Sequence, residues 1–138
     1  MKKQITLVAM VLLIIAGIGT GCKKETGVAR PLKKKIEGKW QIAKIETTIA
    51  GTAPITYIGV AGDFFEFRND ENDQVEVNVG ANRTLGTYAV LATDDFNLSL
   101  SGKLLNCSVT TINDNKLEFT AVVSGSSPAE TRKYFLTR

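Results

Sequence analysis

The chain has 138 residues, enough for one domain with a real core. It carries 17 basic and 14 acidic residues and no histidine, which excludes Ser-His-Asp and Cys-His nucleophile systems and every histidine-ligated metal site. The positive excess lies in the first 37 residues: from Gly38 onward there are 9 basic and 12 acidic groups, so the folded part lacks the basic surface that nucleic-acid binding needs.

Residues 1–21 read as an export signal. Lys2 and Lys3 form a positive start, and Leu7 to Ile18 is an apolar run of about a dozen residues. That is too short for a spanning helix, which needs about 20. Small residues, Gly19-Thr20-Gly21, stand directly before Cys22. This arrangement resembles the bacterial lipoprotein processing box, with Gly19 where that pattern usually has leucine. The resemblance implies that Cys22 becomes the mature N-terminus and carries covalent lipid, the one attached group expected. An ordinary secreted protein with a free Cys22 is the alternative. Neither Lys23 nor Lys24 resembles the aspartate that retains lipoproteins in the inner membrane, so the resemblance points to the outer membrane, in an undetermined leaflet. Residues 22–37 are lysine-rich without apolar periodicity and read as a flexible basic tether. Its positive charge suits anionic headgroups, and equally keeps a tether solvated.

From Gly38 to the end, the apolar period is two, broken by turn residues. The pattern predicts eight strands. The first, near 39–49, changes apolar parity between Ile42 and Ile45, which predicts a bulge near Ala43 or a strand bending across a barrel. Residues 50–62 form a long connection, apolar through Ile55, Tyr57, Ile58 and Val60, which predicts a lid or a short helical turn. Asp63 to Arg68 is the second strand, with Phe65 and Phe67 on one face. Then come strands through Val75 to Val79, Gly86 to Val90, Phe96 to Leu100, Leu104 to Ile112, Leu117 to Val123, and about 130–137. The facing of Tyr134, Phe135 and Leu136 in the last is ambiguous. Cys107 shares a face with Leu105 and Val109 and reads as core.

Strands joined by short turns give an antiparallel meander. Without a covering helix, closure as an eight-stranded up-and-down barrel removes both open edges; a two-sheet sandwich is the alternative. At the head of the first strand stands Gly38-Lys39-Trp40. Its position, behind Cys22 and the basic tether, resembles the G-x-W motif of lipocalins. Phe65-Glu66-Phe67 before an acidic turn, Gly86-Thr87-Tyr88, and the ending Tyr134-Phe135-Leu136-Thr137-Arg138 extend the resemblance to the short lipocalin-like lipoproteins of Bacteroidota. The family's T-D-Y motif and C-terminal helix are missing. The resemblance implies an all-β barrel domain over 38–138. Trp40 would close the barrel bottom, with Gly38 ending the tether and Arg138 or Arg132 stacked on the indole.

Carboxylate chemistry finds little support. The run Asn69 to Asp73 lacks the spacing and glycine of a calcium loop, and its residues are ordinary turn formers. Asp63, Glu66, Asp94 and Asp95 form no convincing acid/base pair, so no catalytic or metal residue is assigned. The expected function is non-catalytic binding of a small apolar or amphipathic ligand at the open mouth, near Phe65, Phe67 and Tyr88. The alternative is a filled barrel that acts through its loops as a protein-interaction or inhibitor module of an envelope complex. The expected partners are the lipid bilayer, through Cys22, and that ligand, but no nucleic acid.

Overall fold

The computed structural model describes residues 31–138. A short helix α1 (Leu32–Ile36) precedes nine strands: β1 (Gly38–Ile49), β2 (Ile55–Ile58), β3 (Phe64–Phe67), β4 (Gln74–Val79), β5 (Asn82–Val90), β6 (Asp95–Leu100), β7 (Lys103–Ile112), β8 (Lys116–Val123) and β9 (Glu130–Thr137). Consecutive strands from β3 to β9 pair antiparallel, and β9 pairs back onto β1. The sheet is therefore an eight-stranded up-and-down barrel, and the sandwich alternative is excluded by the β1–β9 ladder.

β1 organises the closure because both of its edges are used. One edge pairs with β9 from Gln41↔Thr137 to Ile49↔Glu130. The other takes β3 over Gly38–Gln41 and then β2 over Lys44–Thr47. The β9 register shifts between Ile42 and Lys44, which is the bulge expected at Ala43. One extra residue lets Trp40 and Ile42 face inward before it and Ile45 after it. The connection over 50–62 holds neither a lid nor a helical turn. It contains β2, a ninth strand paired only with β1. Its residues are β-branched or aromatic and sit beside a free strand edge, so pairing satisfies the backbone that a loop would expose.

The interior is filled from the closed end upward by aromatic rings. Trp40, Phe65, Phe67, Phe96 and Phe119 are all fully buried. Phe65 joins the layers, with ring centroids 5.9 Å from Phe67, 6.0 Å from Phe119 and 5.1 Å from Tyr134. On β9, Tyr134 and Leu136 point inward, while Phe135 points outward under Lys44, 4.1 Å from its ring. Cys107 is buried as expected, and burial pushes its thiol up to about 12.

The barrel bottom is closed by a small cluster. Residues 32–36, read from the sequence as the end of the tether, are instead a helix that plugs the base. Leu32 and Ile36, one turn apart, are buried. Five residues cannot hold a helix alone; packing holds this one, along with a 2.6 Å ion pair from Lys33 to Asp73. The Trp40 Nε1–H donates to the Ile36 carbonyl at 2.7 Å. The Arg138 guanidinium lies 3.6 Å from the indole and donates from Nη2 to the Lys35 carbonyl. Gly38 turns the chain from helix to strand at φ +103°, a left-handed angle that favours glycine.

Trp40→Ala should lose about 3–5 kcal/mol of stability, read by urea denaturation, because it removes the largest core side chain and the helix's anchor together. Arg138→Ala should cost less and should release α1 selectively, seen as faster amide exchange at Glu37 than in the strands.

Candidate functional site

Above the aromatic layer the barrel is open. The rise from filled base to hollow mouth follows from residue size along the inward rows. Near the base these rows hold Trp40, Phe67 and Phe96; nearer the mouth they hold Ile45, Thr47, Val77 and Thr84. The result is a mouth cavity of about 490 Å3. This lies within the range of small-molecule pockets, roughly 300–1,000 Å3. Phe65 and Tyr134 form its floor. Ile45, Val77, Leu100 and Leu105 line its walls, and Asn82, Thr84 and Ser101 bring polar groups to the rim.

Of the three residues expected to bind ligand, only Phe65 lines this cavity. Phe67 pairs with Gly38 in the closed half, and the Tyr88 hydroxyl donates 2.9 Å to the Arg68 carbonyl beside the closed-end turn. Both rings belong to the packed base, where they meet edge to face at 5.3 Å. β3 runs downward into the barrel, so one inward step from Phe65 to Phe67 already leaves the mouth. Arg132 is displaced the other way. The sequence allowed it as the cation over Trp40, but it lies six residues, roughly 20 Å along β9, above Arg138. It lines the mouth cavity instead. Its parity with Tyr134 and Leu136 marks it as inward-facing but gives no height along the strand.

Three charged side chains face the cavity: Arg132, Glu130 and Lys103. Arg132 donates from Nε at 2.6 Å to Oε1 of Glu130 and holds the same oxygen from Nη2 at 2.5 Å. Lys103 approaches Oε2 of Glu130 at 4.0 Å. Burial works against the charge of Arg132, but Tyr134 and Glu130 accept from it and raise its pKa above the usual arginine value. Burial likewise raises the Tyr134 phenol.

The side wall of the mouth is fastened by Asp63, which is buried. Its Oδ2 accepts from the Tyr57 hydroxyl at 2.6 Å and the Val60 amide at 3.0 Å, and its Oδ1 accepts from the Gly80 amide at 2.9 Å. One carboxylate thus joins β2, the 59–63 turn and the β4–β5 turn, where no strand ladder links β2 to β4. Gly59 completes the fastening: a Cβ there would lie 1.8 Å from the Ile42 carbonyl oxygen. The Tyr57 hydrogen bond is the main cause that lowers the Asp63 pKa, followed by the Val60 amide, while desolvation opposes them.

The other carboxylates considered for chemistry are dispersed. Asp94 and Asp95 lie at the β5–β6 turn of the closed end, and Glu66 lies on the outer wall 3.8 Å from Arg68. Glu76, also on the outer wall, is buried between Arg68 and Arg83 and ties β3, β4 and β5 together. Asp70 accepts the Asn72 and Gln74 amides at 3.1 Å each and shapes the acidic turn. Among the described residues no cluster of three or more His, Cys, Asp or Glu could hold a metal ion. Cys22 lies outside the described residues. No protein-family model matches the chain, and no curated protein matches it either.

Because the folded-state pKa of Asp63 is depressed, its contribution is present above the unfolded value of about 4 and disappears as pH falls through the folded one. Acidification below pH 4 should therefore speed amide exchange at Val60 and Gly80 before the β7–β8 ladder loosens. Asp63→Asn should show the same fast exchange already at pH 7.

Proposed function

We propose that this protein is a membrane-anchored, lipocalin-like lipoprotein that holds a small apolar or amphipathic molecule in its barrel mouth without catalysing a reaction. The observation that carries this reading is the mouth cavity, of about 490 Å3, with an aromatic floor, aliphatic walls and a polar rim. Such a site supplies burial for an apolar body and hydrogen bonds for one polar end. The wall pinned by Asp63 keeps the space open without a ligand to support it, which reduces the ordering cost of binding. Anchoring rests on the sequence around Cys22, and the outer membrane is the corresponding location.

A second reading has its own support. Ile55, Ile58 and Val60 are 63%, 64% and 55% exposed along β2 and the turn after it. An apolar strand beside a free edge suits a protein partner, so the barrel would then act as an interaction module of an envelope complex. The cavity favours ligand binding over this alternative, because a module acting only through its rim has no need of a hollow mouth.

Thr84→Trp places an indole in the mouth and should abolish uptake of aliphatic ligands by the full chain, read by native mass spectrometry, with little change in stability. If the wild type takes up no such ligand, the binding reading fails. Cys22→Ser should remove acylation and shift the protein out of the membrane fraction; unchanged membrane partitioning would overturn the anchor.

A further inference from the structure

The charges at the mouth narrow the ligand class, an inference that rests on the proposed ligand site. Arg132 stands one inward position above Tyr134 of the cavity floor and one below Glu130 at the rim. Among the residues that line the cavity, Arg132 and Lys103 face the single carboxylate of Glu130, while the Asp63 carboxylate lies behind the Tyr57 hydroxyl in the opposite part of the wall, with its oxygens turned to Tyr57, Val60 and Gly80. The guanidinium holds one oxygen of Glu130 through Nε and Nη2, and Tyr134 takes one further donor. An arginine fork has five N–H donors, so donors remain for a further acceptor. Lys103 is only loosely held, at 4.0 Å from Glu130 and with its side chain 55% exposed. Its ammonium can turn toward an incoming head without breaking a short pair.

We propose that the mouth selects amphiphiles with an apolar body and a single anionic head, and that Arg132, assisted by Lys103, is the specificity-determining residue that receives the head. The apolar body lies against Phe65, Ile45, Val77 and Leu105. Glu130 is the competing internal anion: it keeps Arg132 neutralised when the mouth is empty and sets the threshold that an external head must exceed. A cationic head at the rim meets Arg132 and Lys103 and is disfavoured there. A neutral head gains burial but no ion pair. Both consequences follow from desolvation, since an arginine held beside aliphatic walls interacts with an anion far more strongly than one in water.

The test uses the full chain and three probes that share one tail: dodecanoate, dodecanol and dodecyltrimethylammonium. Binding is measured by competition with a fluorescent aliphatic probe, with the Thr84→Trp chain as the blank for uptake by detergent. Dodecanoate should bind tightest and the ammonium weakest. Arg132→Gln should weaken dodecanoate roughly 10- to 100-fold, as expected for losing a charged hydrogen bond, and leave dodecanol unchanged. Glu130→Gln should do the opposite and tighten dodecanoate, which guards against a variant that merely unfolds. Equal affinity for the three heads overturns the assignment, as does an Arg132→Gln variant that loses dodecanol as fully as dodecanoate. Either result leaves mouth binding standing. Absence of any binding above the Thr84→Trp blank overturns the mouth site itself.

Discussion

The fold depends on β1 being paired along both edges. A meander of strands has two open edges, and either would expose unpaired amides and carbonyls. Here the last strand returns to the first, and the β1–β9 ladder runs nearly the length of both strands. The bulge at Ala43 makes this possible. Without it, one strand could not present Trp40 and Ile42 to the base and Ile45 to the mouth while following the curvature of the wall.

Closure leaves an asymmetry between the base and the mouth. On the opposite edge of β1, one partner strand is replaced by two short ones, β3 below and β2 above. β3 continues into the β4 ladder, but β2 pairs with β1 alone. The upper wall is therefore fastened through the Asp63 carboxylate, which accepts from the Tyr57 hydroxyl and the Gly80 backbone amide. This fastening is polar and directional, and its strength depends on Asp63 staying ionised. The lower wall is held by aromatic packing, which is indifferent to pH. A rigid base and a chemically adjustable mouth are thus built into one sheet. The charge distribution follows the same division. The turns at the closed end carry Asp70, Glu71, Asp94 and Asp114, while the 50–54, 80–81, 101–102 and 124–129 connections at the mouth carry no charged residue.

The base shows how a motif's meaning depends on what lies next to it. Trp40 is the obvious candidate for a functional aromatic. Its indole nitrogen is spent on Ile36, one face is covered by Arg138, and the remainder is core. Nothing is left for a ligand. The helix that completes this cluster comes from lysine-rich sequence whose only core signal is the pair Leu32 and Ile36. Five residues give too short a window for helical periodicity to stand out.

The sequence by itself determined the all-β class, the antiparallel meander of eight strands and the break in alternation near Ala43. All of these are set by alternation along single strands and by residues close in the chain. It also placed Phe65 at the mouth. Only the tertiary structure separated Phe65 from Phe67 and Tyr88, raised Arg132 from the base to the cavity, and turned the apolar 50–62 connection into β2. Those distinctions depend on height along the barrel axis and on which strand edge is free. Both are fixed by the register between strands distant in sequence. Period-two alternation says which face a side chain takes and is silent about its height on that face. Facing was therefore legible from residue to residue, whereas the hollow mouth and the charges that line it emerged only when the ladder closed.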